Sequence, residues 1–166
     1  MNFTDYLNKF QNAAGLLDLK VLHSKRIEVA VGVVLDSVFL KLYKRSWTGS
    51  SEDPLHAESR IFFSIWVNEF TIKEQKVFYN IHALKLRKLK GYAIQSRKFA
   101  DAFRDKFKDF THIWPNVGTA HGPLTLMEGW VELNQENLQA EILHLANKFL
   151  EIESLIDTTL SEFKII

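Results

Sequence analysis

Apolar residues recur every three or four positions in three segments of the chain, and this spacing predicts helices. The first two helices are short and cover residues 3–14 and 96–110, the second with a stripe of four phenylalanines. The third covers 134–163 and carries apolar residues at the heptad spacing of coiled coils: Leu138, Ile142, Leu145, Phe149, Ile152 and Ile156. A straight helix of that length would reach roughly 43 Å at about 1.5 Å per residue. We therefore expect it either to bend near Ser154 or to project from the domain.

Five other segments alternate apolar and polar residues with a period of two, which predicts β-strands. They are residues 27–33, 38–42, 61–67, 77–89 and 124–133, and the first two form a hairpin that turns near Leu35 and Asp36. The segment 77–89 becomes basic at its end, so we expect that strand to leave the core there. Together these elements predict a single α+β domain over residues 1–166, with a mostly antiparallel sheet of about five strands, two shorter helices and the long C-terminal helix.

The composition agrees with one soluble domain and excludes several kinds of site. Of the 166 residues, 46% are apolar and 25% are charged, and cysteine is absent. A disulfide framework, a thiolate metal site and a cysteine nucleophile are therefore excluded. Asp5 and Lys9 interrupt the start of the chain, which lacks the apolar core of a secretory signal. Charged residues also break the longest apolar stretch, 27–42, so the sequence predicts no membrane span and a cytoplasmic location.

Charge is unevenly distributed along the chain, although the net charge is only +1. Residues 85–108 carry nine basic and two acidic side chains, a local charge of +7, whereas residues 132–166 carry a charge of −5. Such a basic segment predicts contact with a polyanion such as nucleic acid, because its cations can neutralise phosphates. The candidate residues for this contact are Lys85, Arg87, Lys88, Lys90, Arg97 and Lys98. The two oppositely charged segments either pair with each other or face separate partners.

A pair of polar residues, Asn80 and His82, falls on one face of a strand that is otherwise largely apolar. Polar groups buried in such a place need hydrogen-bond partners. One interpretation is structural, with His82 bonded to a neighbouring strand or loop. The other is a ligand pocket completed by the loops 46–58 and 111–123, which contain tryptophan, histidine and proline. The pocket candidates are Asn80, His82, Trp47, His56, Trp114 and His121.

Familiar catalytic signatures are absent from the sequence. There is no Walker loop and no GxGxxG, GxSxG or HExxH motif, so no catalytic residue is assigned, and neither a metal site nor a cofactor is predicted. The order of elements resembles that of the PD-(D/E)XK nuclease superfamily, and IHALKLRK at 81–88 is similar to its acid-x-Lys element. The acid position is occupied by Ala83, two residues before Lys85, so the metal-binding carboxylate is missing and membership is not inferred.

These features favour a soluble binding or interaction domain, with the basic segment 85–108 as a polyanion contact. The alternative is a small-molecule-binding protein or an enzyme, with a pocket formed by His82 and the 46–58 and 111–123 loops. The C-terminal helix is expected to mediate a homodimer, because its apolar residues beyond Ser154 would otherwise remain in water.

Overall fold

A computed structural model of the chain describes residues 2–50 and 52–165 and contains one antiparallel sheet of five strands. The strands, in the same order along the chain and across the sheet, are β1 (Glu28–Val34), β2 (Ser37–Tyr43), β3 (Arg60–Asn68), β4 (Lys76–Leu84) and β5 (Thr125–Glu132). Each strand therefore pairs with its neighbours in the chain, which makes the sheet a meander. The predicted fold class, α+β with about five mostly antiparallel strands, is confirmed.

Helices precede, interrupt and follow the sheet. They are α1 (Phe3–Gly15), α2 (Leu19–Lys25), α3 (Glu69–Lys73), α4 (Ser96–Phe107), α5 (Leu138–Ile152) and α6 (Ser154–Ser161). The predicted helices 3–14 and 96–110 correspond to α1 and α4. The short helices α2 and α3 were not predicted, because each buries only one side chain, Leu22 or Thr71. Their starts depend instead on caps, Asp18 for α2 and Asn68 for α3.

One face of the sheet, the inner face, packs against the helices. The alternate residues of β2, β3 and β4 that point to this face are fully buried: Val38, Leu40, Leu42, Ile61, Phe63, Ile65, Val67, Val77, Tyr79, Ile81 and Ala83. Helices α1, α4 and α5 contact this face, and the Phe149 ring of α5 stacks on Phe63 with 4.5 Å between centroids. In β3 the residues that alternation assigns to one side, Ile61, Phe63, Ile65 and Val67, all lie on this inner face, whereas Phe62 and Ser64 are buried on the opposite face as well.

The predicted strand 77–89 ends at Leu84, five residues earlier than the pattern indicates. Lys85 has a left-handed backbone with a φ of 47°, which ends the strand, and residues 86–88 form a 3-10 turn. Leu86 and Leu89 remain buried in that turn. Apolar spacing therefore continues past the strand and conceals its end, and Lys85 and Arg87 do not extend the strand face.

The predicted C-terminal helix is interrupted near Ser154, and its last part packs within the chain. It begins at Leu138 rather than at 134, because the Asn134 side chain accepts a hydrogen bond from the Glu136 backbone inside a preceding turn. Glu153 separates α5 from α6. Ile156 and Leu160 are buried within the chain, so the length argument for a dimer does not hold.

Within residues 2–50 and 52–165, no helix is both long and apolar enough to cross a membrane.

Candidate functional site

The second face of the sheet, the outer face, carries no packed helix in the part of the chain that the structure describes. Strand register places its residues in rows that cross the sheet. One row, the polar row, consists of directly paired residues on four strands: Lys41, Ser64, Asn80 and Glu128. The next row, the aromatic row, is formed in the same way by Phe39, Trp66, Phe78 and Trp130. An outward-facing sheet surface is usually polar throughout, so a complete aromatic row is unusual for a face in contact with water alone.

Two hydrogen bonds connect three residues of the polar row, and both donate in the direction from Ser64 towards Glu128. Ser64 Oγ donates to Asn80 Oδ1 at 2.8 Å, and Asn80 Nδ2 donates to Glu128 Oε1 at 3.2 Å. A carboxylate only accepts, which requires the amide nitrogen of Asn80 to face Glu128. Ser64 and Asn80 are 4% and 2% exposed, so these hydrogen bonds are buried. Together they give both the oxygen and the nitrogen of the Asn80 amide a partner, as a buried polar group requires.

Ring contacts define the aromatic row. Trp66 stacks on Phe78 with 5.2 Å between ring centroids. The ammonium groups of Lys41 and Lys76 lie over the rings of Phe39 and Trp130, at 4.6 and 4.4 Å from the centroids. All four rings of the row are half-buried, so their remaining surface faces solvent.

On the other side of the polar row, basic groups surround the Phe62 ring. Lys41 Nζ lies 4.6 Å and Arg60 Cζ 5.6 Å from its centroid, and the His82 ring centroid lies 5.4 Å away. Burial lowers the pKa of Lys41, and the Arg60 charge lowers it further. Burial also lowers the pKa of His82, helped by the charges of Lys41 and Arg60 and opposed by the Leu124 carbonyl and Glu128.

The His82 ring contacts Thr125, the first residue of β5, and Leu124, which precedes that strand. Its Nδ1 lies 3.4 Å from the Leu124 carbonyl oxygen and 3.3 Å from Thr125 Oγ1, beside a register shift between β4 and β5. A carbonyl can only accept, so this contact places the proton of the neutral ring on Nδ1. The arrangement agrees with the structural interpretation of His82, while the ring still lines the groove described next.

Between the rows the outer face forms an open groove of about 420 Å³. Its floor is made of the small polar side chains of Ser64 and Asn80, and its sides are aromatic. The lining residues include Phe39, Lys41, Phe62, Trp66, His82 and Glu128. An apolar concavity with a few fixed polar groups is the usual form of a small-molecule site.

No family model matches this chain, and no curated protein or solved structure is significantly similar to it. The description of the site therefore depends on its own geometry.

The six pocket candidates from the sequence do not form one pocket. Asn80 and His82 lie in the groove, but Trp47 and Trp114 are buried on the inner side of the sheet. Trp47 packs edge-on against Phe149 and donates its Nε1 hydrogen to Asp157 at 2.7 Å, and Trp114 contacts Phe63, Tyr79 and Phe107. The two tryptophans are core residues, because the loops 46–58 and 111–123 place their indole rings against the inner side of the sheet.

The two loop histidines also lie outside the groove. His56 is exposed and 2.9 Å from Asp53, and His121 is exposed. Among the described residues, no group of three or more histidines and carboxylates is placed to hold a metal ion.

Some cations of the basic segment 85–108 pair with carboxylates, and others are exposed to solvent. Lys85 and Lys88 both contact Glu58 Oε1, at 2.9 and 2.8 Å, and their hydrogen bonds and charges lower the pKa of Glu58 to about 2. Lys106 pairs with Glu162 of the acidic tail at 2.8 Å, so the two charged segments meet within one chain at this point. The remaining candidates are exposed: Arg87, Lys90, Arg97 and Lys98.

Several groove residues are absent from the sequence-based candidates, notably Phe39, Lys41, Trp66 and Glu128. One signal was available, since the outward side of β3 carries two large rings, Phe62 and Trp66, where a solvated strand would carry polar residues. The polar row was not accessible from sequence, because it depends on the register between strands rather than on any single strand.

Proposed function

We propose that the protein binds a small, flat organic molecule in the groove of the outer face. The observation that carries the proposal is the buried, hydrogen-bonded link from Ser64 through Asn80 to Glu128, which lies between aromatic side chains on a sheet face that no described helix covers. A flat ring can stack on such side chains while its polar edge meets fixed hydrogen-bonding groups. This proposal keeps the His82 region of the small-molecule alternative and replaces its loop residues with the outer face.

The groove supports binding rather than catalysis. The Ser64 hydroxyl donates its proton to Asn80 rather than to a base, and His82 uses Nδ1 for its contacts with Leu124 and Thr125. A nucleophile aligned with a base and an orienting group, which acyl or phosphoryl transfer would require, is not present among the described residues of the groove.

The four tryptophans supply a direct test. Trp66 and Trp130 lie on the outer face, whereas Trp47 and Trp114 are 0% and 2% exposed on the inner side. A library of flat heterocycles is titrated into labelled protein while the four indole N–H signals are followed by NMR. Ligands of the groove are expected to shift the Trp66 signal, with a smaller shift of Trp130, and to leave the two core signals unchanged.

A pair of variants makes the test specific. Trp66→Leu removes a groove wall and is expected to weaken binding about tenfold or more, in line with the loss of one aromatic contact in a binding site. Phe70→Leu is the matched control, because Phe70 is 75% exposed and is not a groove residue. The proposal fails if no member of the library shifts the Trp66 signal, or if folded Trp66→Leu protein binds as tightly as the wild type.

Three expectations from the sequence stay predictions beside this proposal. Polyanion contact now depends on the exposed cations of segment 85–108. Self-association through the C-terminal helix would have to use residues outside the heptad seam, whose members from Leu138 to Ile156 are buried within the chain. Sedimentation equilibrium of the intact chain tests it, and a monomer at micromolar concentration contradicts it. A cytoplasmic location is the third.

A further inference from the structure

The ammonium group of Lys41 is placed unlike those of the paired lysines in this protein. Its Nζ lies 4.6 Å from the ring centroids of both Phe39 and Phe62, at a half-buried position in the groove. In the described parts of the chain it has neither a carboxylate within ion-pair distance nor a hydrogen-bond acceptor. By contrast, Lys44, Lys85, Lys88 and Lys106 each meet a carboxylate at 2.9 Å or less. Three N–H donors of Lys41 thus face the groove region without a protein acceptor.

The charges around Lys41 leave this end of the groove positive. Arg60 shares the Phe62 ring with it, and the Arg60 Nε–H is buried without an acceptor among the described residues. Glu128 is the carboxylate of the groove lining, and one of its oxygens already accepts from Asn80. A buried or half-buried cation without a counter-charge favours an anion that can supply one.

We propose that Lys41 binds the carboxylate of a flat, monoanionic ligand, an aryl carboxylate, whose ring lies against Phe39, Phe62 and Trp66. The inference rests on the proposed function and adds the charge of the ligand to it. One negative charge matches the one ammonium group that lines the groove among the described residues, whereas Glu128 in the same groove would repel a dianionic phosphate more strongly than a monoanion.

Three probes of the same shape test the charge. They are 2-naphthoate, its neutral amide 2-naphthamide, and the dianion 2-naphthyl phosphate, each titrated into the full chain while the Trp66 indole signal is followed. We expect 2-naphthoate to bind about tenfold more tightly than the amide, as for one partly desolvated charge-assisted contact. It should also bind more tightly than the phosphate.

Variants of two lysines locate the contact. Lys41→Met is expected to remove the preference for 2-naphthoate over 2-naphthamide, and Lys41→Arg to retain most of it. Lys76→Met is the matched control, because Lys76 also lies over an aromatic ring of the outer face, Trp130, but does not line the groove. The preference of Lys76→Met for 2-naphthoate over 2-naphthamide should equal that of the wild type.

The outcomes separate the two proposals. Equal binding of 2-naphthoate and 2-naphthamide, or an unchanged preference in folded Lys41→Met protein, overturns the assignment of Lys41 and leaves the groove as a ligand site. Tighter binding of 2-naphthyl phosphate than of 2-naphthoate overturns the proposal that the ligand is a monoanion. If no probe and no library member shifts the Trp66 signal, the proposed function itself is overturned, and this inference with it.

Discussion

Gly129 of β5 lies opposite Tyr79 of β4, and the Tyr79 ring occupies the space that a β-carbon on residue 129 would need. The Tyr79 hydroxyl donates to the Pro115 carbonyl oxygen at 2.7 Å, which holds the loop 111–123 beneath the sheet. Burial raises the pKa of Tyr79, so the hydroxyl keeps its proton for this bond. Glycine is needed at 129 for close approach rather than for backbone freedom.

Gly129→Ala is therefore expected to destabilise the fold by about 2–4 kcal/mol, because a fully buried tyrosine and the Pro115 carbonyl must both move. Urea unfolding measures the change in free energy. Gly15→Ala is the control, since nothing lies within 4 Å of its added β-carbon at the end of α1, and it should leave stability equal or slightly higher. Equal midpoints for Gly129→Ala and the wild type would contradict this packing.

The lowered pKa of His82 predicts a pH dependence of stability. Because its pKa lies below the ordinary value of 6.5 in the folded protein, the unfolded chain binds the proton more readily, and stability is lost as pH falls below about 6.5. The charged groups that face His82 are Lys41 and Arg60, which favour the neutral ring, and Glu128, which opposes them.

His82→Gln removes this titration and keeps a polar side chain. Its thermal midpoint should fall less than that of the wild type between about pH 7.5 and about pH 5.5, as the linkage relation requires. A larger fall in the variant would show that the folded protein favours protonated His82. At this scale the sequence singles out Asn80 and His82, because two polar residues interrupt an apolar strand, but their hydrogen-bond partners depend on the register between strands.

At the scale of elements, the junction between α5 and α6 carries an ion-pair cluster. Glu153, 5% exposed, lies between the two helices, and Lys44 Nζ at the end of β2 is 2.7 Å from Glu153 Oε2 and 2.5 Å from Asp157 Oδ2. Burial acts to lower the pKa of Lys44, but hydrogen bonds and charges from Asp157 and Glu153 outweigh it and raise the pKa. The Lys44 ammonium group therefore keeps its charge at neutral pH, because its pKa is raised above the ordinary value of 10.5.

Lys44→Met should cost about 2–3 kcal/mol, somewhat less than a fully buried broken pair, because Asp157 is partly exposed and Lys25 remains near Glu153. Chemical unfolding measures the cost. Lys108→Met is the matched control, since its pair with Asp105 is exposed on both sides and such pairs contribute little. Similar losses for the two variants would mean that the cluster does not stabilise the junction between α5 and α6.

The basic segment gives a second prediction at this scale. Arg87→Glu combined with Arg97→Glu should lower retention on heparin and reduce the salt dependence of binding, because two exposed cations become anions. Lys20→Glu combined with Lys73→Glu, two exposed lysines outside the segment, controls for the same change in net charge. If the wild type shows no retention at low salt, the polyanion contact is excluded.

Elements were predictable where a long apolar period decides the structure, as in α1, α4, α5 and the inner face of β3. They were not predictable where one residue decides it. Lys85 ends β4 by its left-handed backbone although apolar spacing continues, and Asn134 delays the start of α5 by capping a turn instead of the helix. Local hydrogen bonds of this kind compete with periodicity and leave little mark on it.

For the whole molecule, the two faces of one sheet have different surroundings. The inner face carries the core against α1, α4 and α5, whereas the outer face presents aligned polar and aromatic rows to solvent. This asymmetry explains why the candidate site was only half predicted. The sequence shows which residues alternate, but it does not show which of the two faces the helices cover.

The contact between α1 and α5 has a consequence for the order in which the chain folds. Lys9 and Tyr6 of α1 bond to Gln135, just before α5, at 2.9 and 2.5 Å, across most of the length of the chain. A meander needs only neighbouring strands, so the sheet can assemble early during synthesis, and α1 can pack on β1 and β2 as soon as they form. The part of the inner face that α5 covers, including the Phe63 ring, stays exposed until α5 has been made, and during that interval the chain is most vulnerable to aggregation.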